Sequence, residues 1–400
     1  MIKKVMVSYK FRLYPSKDVE VKMLETLDLC RQGYNILLGE LNEQKVIDKA
    51  QVQGVIPDVK ICEPKFRKVY SKTLQYECYR LFSNLSGLAE VKGKRKVGRL
   101  RFKSKNRFKT FTYNQSGFKL ITTGKRCQTL RLSKIGDIPI RRHRDIKGEI
   151  KQITIKHYSS GKWYASISTE LKISIPKCKI RNVVGIDLGL NDVIFDSDGN
   201  SVSNPKHLKK RSDKLIRLQR KLSDKKKGSS NRDKARIKLS KQYEKLVNCR
   251  DDFLHKLSNS YVQNYDCVGF EDFQITNMVK SKLAKSILDA GWGRLRQFVA
   301  YKVERTGKHF MTVNSKGTTQ RCSRCGGTVT KGLSERLHKC PFCGLEISRD
   351  YNSALEVKNL MLLEVGQELS EYKPMEMEAI PEMATSVKEV GSLFQNHILV

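Results

Sequence analysis

Four cysteines, Cys322, Cys325, Cys340 and Cys343, are spaced C-x2-C-x14-C-x2-C and offer the four soft thiolates that a tetrahedral zinc ion takes. Each knuckle has a turn-forming glycine beside it, Gly326-Gly327 in one and Gly344 in the other. With all four positions filled by protein such an ion has no open site, so its role is structural. Two unconnected surface pairs of cysteines are the duller alternative. Seven residues past Cys343 stands Asp350, in the segment Arg349-Asp350-Tyr351-Asn352-Ser353-Ala354. Two more acids have unusual settings. Asp187 lies in Val183-Val184-Gly185-Ile186-Asp187-Leu188-Gly189, and Glu271 ends Cys267-Val268-Gly269-Phe270. An ionised group in an apolar strand is costly unless a metal or a donor compensates it. Three acids delivered to one point would hold two divalent ions about 4 Å apart and clamp the attacking and leaving oxygens of a phosphodiester. Oxygen ligands suit Mg²⁺ or Mn²⁺ for that work, and not zinc. Taken singly, Asp187 could close a strand-end turn, Glu271 could pair with a basic neighbour, and Asp350 could serve a helix dipole.

The elements that must position these residues are legible in the pattern. Residues 183–189 and 193–195 read as strands opening an α/β domain, with a turn at Asp198-Gly199-Asn200. Residues 267–270 read as another buried strand, 286–306 as a helix with Leu295, Phe298, Val299 and Val303 on one side, and 309–313 as a strand. Ser348 caps a last helix that holds Asp350 in its first turn and Ala354, Leu355, Val357 and Leu360 on its apolar side. Between 205 and 250 stand 18 Lys/Arg and 4 acids, on a helix pair broken at Gly228-Ser229-Ser230-Asn231. Leu215, Leu218, Leu222, Ile237, Tyr243 and Leu246 give its arms narrow apolar edges. So lopsided a face suits a phosphate backbone.

Upstream, residues 5–14 alternate as a half-buried strand ending at Pro15. Ser16 then caps a helix with Leu24, Leu27, Tyr34, Leu38 and Leu41 at helical spacing. A second helical pattern covers 64–89 through Leu74, Cys78, Leu81 and Leu85. Residues 92–109 carry ten Lys/Arg and no acid, with Phe102 and Phe108 inside and Phe111 and Tyr113 just after. Basic residues interleaved with aromatics suit a groove with stacking platforms for unpaired bases. The alternative is a solvated loop whose aromatics turn into a core. Strands from about 118 to 176, including 153–155 and 163–167, complete a β-barrel-like domain interrupted by helices, and a composition change at Pro176 to Arg181 marks its end.

A chain of 400 residues, 39% hydrophobic, can pack two or three domains. Its formal charge of +37 calls for a polyanion contacted over a long surface, nucleic acid before a ribosomal or membrane-surface role. The other seven cysteines, Cys30, Cys62, Cys78, Cys127, Cys178, Cys249 and Cys267, show no paired spacing and read as idle thiols of a reducing compartment. The N-terminus lacks the apolar stretch of a signal peptide, and no run of about eighteen apolar residues predicts a membrane span. The expected location is cytoplasmic, with nucleoid association. Residues 361–400 hold seven Glu and two Lys and are expected to be flexible or loosely docked.

Strand Asp, second-strand Glu and helix-start Asp in this chain order resemble the split active site of an RNase H-like nuclease of the RuvC kind. The chain as a whole resembles the TnpB family, transposon-encoded RNA-guided nucleases of IS200/IS605-type elements. The likeness is carried by Tyr9-Lys10-Phe11-Arg12-Leu13-Tyr14-Pro15, Gly161-Lys162-Trp163-Tyr164, Gly185-Ile186-Asp187-Leu188-Gly189, Phe270-Glu271-Asp272, Asp289-Ala290-Gly291-Trp292-Gly293, Thr319-Gln320 before the first knuckle, and Arg349 to Ala354. Glu389-Val390-Gly391-Ser392 in the tail is similar too. A departure falls at Gly317-Thr318-Thr319-Gln320, where many relatives have Tyr-Thr-Ser-Gln.

The resemblance implies a multidomain α+β protein. A wedge β-barrel (1–14 and 110–178) would carry a helical recognition insertion (15–109), followed by an RNase H-like RuvC α/β nuclease domain (179–316 and 346–364) with an inserted zinc ribbon (317–345) and an acidic tail (365–400). It further implies Asp187, Glu271 and Asp350 as catalytic ligands of two Mg²⁺ or Mn²⁺, and the four cysteines as ligands of one structural Zn²⁺. Expected partners are a transposon-end guide RNA and duplex target DNA read beside a short adjacent motif, in a monomeric ribonucleoprotein with no membrane contact. Candidate nucleic-acid contacts are Arg12, Tyr14, Lys94, Arg95, Arg99, Arg101, Lys103, Arg107, Arg217, Arg220, Lys221 and Arg236. Rival readings are a guided repressor, which would be expected to have lost a triad acid, and a miniature type V CRISPR effector, distinguished by the origin of its guide. A strand-joining transposase is a third, for which the chain shows no nucleophilic tyrosine motif.

Overall fold

The structure, a computed structural model, describes residues 2–92, 99–123, 127–174, 180–314, 317–332 and 335–364. The chain opens with β1 (Ile2–Leu13), α1 (Lys17–Glu43), α2 (Lys49–Cys62) and α3 (Ser71–Lys92). Six strands follow: β2 (Thr110–Asn114), β3 (Phe118–Thr123), β4 (Cys127–Leu132), β5 (Gly136–Arg141), β6 (Glu149–His157) and β7 (Trp163–Ser174). Next come β8 (Val183–Asp187), β9 (Asp192–Asp196), β10 (Ser201–Ser203), α4 (Ser212–Ser223), α5 (Ser230–Asn264) and β11 (Cys267–Glu271). The remainder is α6 (Ile275–Met278), α7 (Ala284–Ala290), α8 (Trp292–Thr306), β12 (His309–Val313), β13 (Leu337–Lys339), β14 (Glu346–Ser348) and α9 (Arg349–Glu364). Two compact units result. Of the described residues, those within 2–182, 204–266 and 274–310 make the first; those within 183–203, 267–273 and 311–364 make the second.

The first unit is built on a seven-stranded antiparallel sheet in the order β2-β6-β7-β1-β5-β4-β3. Alternation in β1 buries Phe11 and Leu13 completely, and the strand pairs with β7 along its whole length, from Ile2↔Ser174 to Leu13↔Trp163. The expected barrel is corrected to an open, curled sheet. Its ladder order ends at β2 and β3 without pairing them, and helices fill the space instead: Leu27, Tyr34 and Leu38 of α1 and Leu74, Cys78 and Leu81 of α3 join Phe111, Ile155 and Trp163 in one core. Ser16 caps α1 as its sequence requires, its hydroxyl accepting from the Val19 N–H at 3.4 Å. Leu24, expected on the apolar face, is 41% exposed. The sequence reading missed α2, where Pro57 inside the helix interrupts the pattern that would have revealed it.

In the same unit the basic helix pair forms as expected. Ser229 caps α5 by accepting from the Arg232 N–H at 3.2 Å. The single helix expected over 286–306 is two, α7 and α8, meeting at Gly291 with φ of 73°. The sequence motifs there do structural work. Asp289 accepts from Arg250 Nη2 and from the Leu208 N–H, each at 2.9 Å. Glu244 of α5 accepts from the Tyr164 hydroxyl at 2.7 Å and from Lys162 Nζ at 3.3 Å, while Trp163 Nε1 donates to Glu20 at 2.9 Å.

The second unit holds the five-stranded sheet β10-β9-β8-β11-β12, with β8 and β11 parallel and β8, β9 and β10 antiparallel. α9 packs on it, and the two-stranded ribbon of β13 and β14 lies between the cysteine knuckles. Among the described residues no helix is long and apolar enough to cross a membrane. The candidate contacts Lys94 and Arg95, the thiol Cys178 and the acidic tail 365–400 lie outside the described residues.

Candidate active site

β8 and β11 register Gly185 against Gly269 and Ile186 against Phe270, so Asp187 and Glu271 are the next pair along, side by side at the strand ends. Side chains on a strand repeat every two residues, which puts both acids on the face that carries Gly185 and Gly269. That face is covered by α9. A Cβ at Gly185 would strike the Ala354 carbonyl oxygen and the Lys358 N–H, so that position needs glycine for the helix to lie this close, while one at Gly269 would meet the Met361 side chain, which would have to move aside. Asp350 lies one turn before Ala354 on that helix. Ser348 caps it as expected, accepting from the Tyr351 N–H at 3.2 Å.

The electrostatics show that the three acids share one environment. Burial, then the like charges of Glu271 and Asp350, push the Asp187 carboxyl well above its usual range, against the Arg349 guanidinium and the Leu188 N–H. Burial raises Glu271 to about 7, and a hydrogen bond from the Thr318 hydroxyl opposes the rise. Glu271 is 1% exposed and its Oε1 has no hydrogen-bond partner. Asp350 is the most accessible of the three and has Arg349 Nε at 3.5 Å from its Oδ1. Among the described residues, the one group of three or more potential ligands whose donor atoms all lie within 4.8 Å of one another is the cysteine set. The acids stand within electrostatic reach without that degree of closure, as expected of three mutually repelling carboxylates. Their chemistry fits hard divalent cations: the donors are oxygens, a buried one of them is unsatisfied, and their ionisation calls for a counter-charge.

The four sulfurs fit zinc. Cys322 and Cys343 are 3.6 Å apart and Cys325 and Cys340 3.5 Å, against the roughly 3.8 Å that Zn–S bonds of about 2.3 Å give in a tetrahedron. The two knuckles repeat one backbone design, with Gly326 N–H bonded to the Cys322 carbonyl at 2.9 Å and Gly344 N–H to the Cys340 carbonyl at 3.0 Å. Burial opposes ionisation at Cys340, but N–H groups of Cys343 and Phe342 aimed at its sulfur hold that thiol below its ordinary value.

Sequence reasoning missed the side chains that tie this finger to α9. Asn352, fully buried, donates to the Arg321 carbonyl at 2.8 Å and accepts from the Ser323 N–H at 3.0 Å. Glu356 pairs with Arg321 at 3.1 Å, and Asn359 donates to the Ser323 carbonyl at 2.8 Å. Polar residues at i, i+4 and i+7 of a helix already apolar on its other side were the available signal.

The expected nucleic-acid residues divide. Arg99, Arg101, Arg107, Arg217, Arg220, Lys221 and Arg236 are exposed, and Tyr14 is 49% exposed. Arg12 is half-buried, with Tyr14 and Tyr164 rings each 5.3 Å from its guanidinium. Lys103 is pinned to α1 through its backbone, its N–H donating to Asn35 at 2.8 Å. Of the four aromatics read as stacking platforms, Phe102 alone is exposed; Phe108, Phe111 and Tyr113 lie in the core, and the groove reading is corrected there.

Three family models match the chain. Residues 166–282 match one described as "Probable transposase" (OrfB_IS605), residues 292–357 the "Cas12f1-like, TNB domain", and residues 1–44 a "Helix-turn-helix domain" (HTH_OrfB_IS605). Residues 1–44 here fold as β1 and the single helix α1. The chain is 30% identical over 400 residues to the Escherichia coli K12 protein named "Putative RNA-guided DNA endonuclease InsQ", covering 93% of this chain and 96% of that one. It is 29% identical to a "Putative RNA-guided DNA endonuclease" of Streptomyces pristinaespiralis, covering 89% and 90%. Its fold is similar to that of a Cas12f1 chain solved in complex with sgRNA and target DNA, at a TM-score of 0.60 and 13% identity over 89% of this chain and 99% of that one.

Proposed function

The chain belongs to the TnpB family, and from that membership we propose that it is a transposon-encoded RNA-guided DNA endonuclease whose three acids cut the phosphodiester. What supports the chemical part of the reading is the register that sets Asp187 of β8 beside Glu271 of β11 under α9, which carries Asp350, with the Asp187 carboxyl raised by burial and then by the like charges of both others. In this reading a wedge spans 1–14 and 110–178 and a recognition insertion 15–109. The RuvC-type nuclease takes 179–316 and 346–364, the zinc ribbon 317–345 and an acidic tail 365–400.

Asp187, Glu271 and Asp350 would hold two Mg²⁺ or Mn²⁺ ions, which when bound supply charge neutralisation at the attacking and leaving oxygens and a water of lowered pKa. The chain's own contribution is to pre-set the ligands. The Thr318 hydroxyl fixes one side of Glu271 and leaves Oε1 open. Burial of Glu271, beside the half-buried Asp187, makes cation binding the way to relieve their repulsion. Arg349 offers a positive charge beside Asp350 that can meet a phosphate oxygen. The exposed basic residues of α4 and the start of α5 track nucleic-acid backbone, and a transposon-end guide RNA reads the target by pairing while the protein reads shape and a short adjacent motif in duplex DNA. The working particle is a monomeric ribonucleoprotein acting in the cytoplasm at the nucleoid.

The test is cleavage of duplex DNA by the purified protein with the RNA that accompanies it. Expected are cutting in Mg²⁺, loss of cutting in EDTA, and loss in Asp187→Ala with duplex binding retained. Binding without cutting by the wild type would favour a guided repressor, and joined strands in place of free ends would favour a transposase.

A further inference from the structure

α9 is buried on two opposite sides. At about 100° per residue, Ala354, Val357, Lys358 and Met361 share one side, the one lying on Gly185 and Gly269. Asp350 falls on that side too. Asn352, Glu356 and Asn359 share the other, and all three are engaged by Arg321 and Ser323. These are the residues immediately before and after Cys322, so the backing of the helix that carries Asp350 is the first zinc knuckle itself. Of the three, Asn352 is nearest to Asp350, fully buried, and has both ends of its amide committed to knuckle backbone. The backbone it grips is the turn closed by the Gly326 N–H on the Cys322 carbonyl at 2.9 Å, and Cys322 itself belongs to the four-sulfur set. A zinc ion held by these four sulfurs, all within 4.8 Å of one another, would tie that turn to the second knuckle.

We propose that Asn352 is a positioning residue through which the zinc-loaded first knuckle sets Asp350, so that capture of divalent cations by the three acids is conditional on zinc at the four cysteines. The proposal rests on the reading of those acids as the catalytic cation site. Zinc touches neither substrate nor the reacting atoms here; it acts by fixing a backbone turn, the turn fixes an amide, and the amide fixes the first turn of a helix.

The experiment uses the full chain free of DNA, with Mn²⁺ as the probe, bound ions counted by paramagnetic resonance, and zinc measured by emission spectrometry. Wild type should bind Mn²⁺ tightly when zinc-loaded and more weakly once zinc is stripped. Asn352→Ala should keep its zinc yet bind Mn²⁺ about 10-fold more weakly, and stripping zinc from it should change Mn²⁺ binding little, because the connection is already cut. Asn359→Ala, on the same knuckle residue but two turns from Asp350, should behave as wild type. Raised Mn²⁺ should restore cutting by Asn352→Ala.

Wild-type Mn²⁺ affinity in zinc-loaded Asn352→Ala would overturn the proposal, as would an equal loss in Asn359→Ala. Loss of zinc from Asn352→Ala would make the residue a support of the knuckle and overturn it too. Equal Mn²⁺ binding by wild type and Asp187→Asn would instead overturn the reading of the acids as a cation site.

Discussion

At the scale of single residues, buried carboxyls are answered in two different ways. Glu271 is 1% exposed and its Oε1 has no hydrogen-bond partner among the described residues. Glu77 of α3 is as deeply buried but is answered by Arg80 at 3.0 Å, which also reaches the Thr110 carbonyl at 3.2 Å and lies over the Phe108 ring. Burial raises Glu77 to about 8, with Arg80 opposing. Because the folded value lies above the ordinary one of 4.5, the stability linked to this group is fully present below pH 4.5 and is lost as pH rises through about 8. Glu77→Gln removes the titration. Its melting temperature relative to wild type should therefore improve between pH 6 and 9 by an amount on the order of a few degrees. A difference that stays flat across that range would show that Glu77 does not titrate as described.

At the scale of elements, α9 is the part on which the site depends. It lies close enough to bring Asp350 toward the ends of β8 and β11 because β8 presents Gly185 beneath its backbone. Gly185→Ala should cost about 1–3 kcal/mol through overpacking, lower the melting temperature, and reduce cutting more than binding, since Asp350 moves with the helix. Zinc content should hold, because the knuckles grip the helix from its other side. Cutting at the wild-type rate with an unchanged melting temperature would mean that the helix can lift off the sheet at no cost. Thr318 is a second gain from the fold. The loop that departs from the usual TnpB pattern before the first knuckle supplies the hydroxyl that bonds Glu271.

At the scale of the whole molecule, the +37 charge sets how the protein meets RNA and DNA. Affinity for guide RNA should fall steeply with salt, the logarithm of the constant declining by about 0.7 per neutralised phosphate on single strands and about 0.9 on duplex. Replacing Arg217, Arg220 and Lys221 with Gln on the exposed face of α4 should lower the slope by about one for each phosphate that is no longer neutralised. Arg12→Gln should leave the slope nearly unchanged, since Arg12 is engaged with Tyr14 and Tyr164. Equal slope changes at both places would show that Arg12 leaves its rings to meet phosphate.

The sequence by itself determined what depends on local spacing and chemical type: the cysteine quartet, the caps Ser16 and Ser348, the apolar strands that end in Asp187 and Glu271, and the family likeness. Zinc ligation, capping and strand alternation are decided within a few residues, so they show in the order of the letters. Only the tertiary structure decided which acids share a field, which aromatics of 102–113 face solvent, that the N-terminal sheet stays open over α1 and α3, and that α9 is held between Gly185 and Gly269 on one side and Arg321 and Ser323 on the other. Those facts arise where segments far apart in the chain meet, and there a polar Asn or a bare glycine acquires its meaning from the surface that arrives against it. The carboxylates were readable as candidates; their joint repulsion, and the knuckle behind Asp350, exist only once the strands and the helix have met.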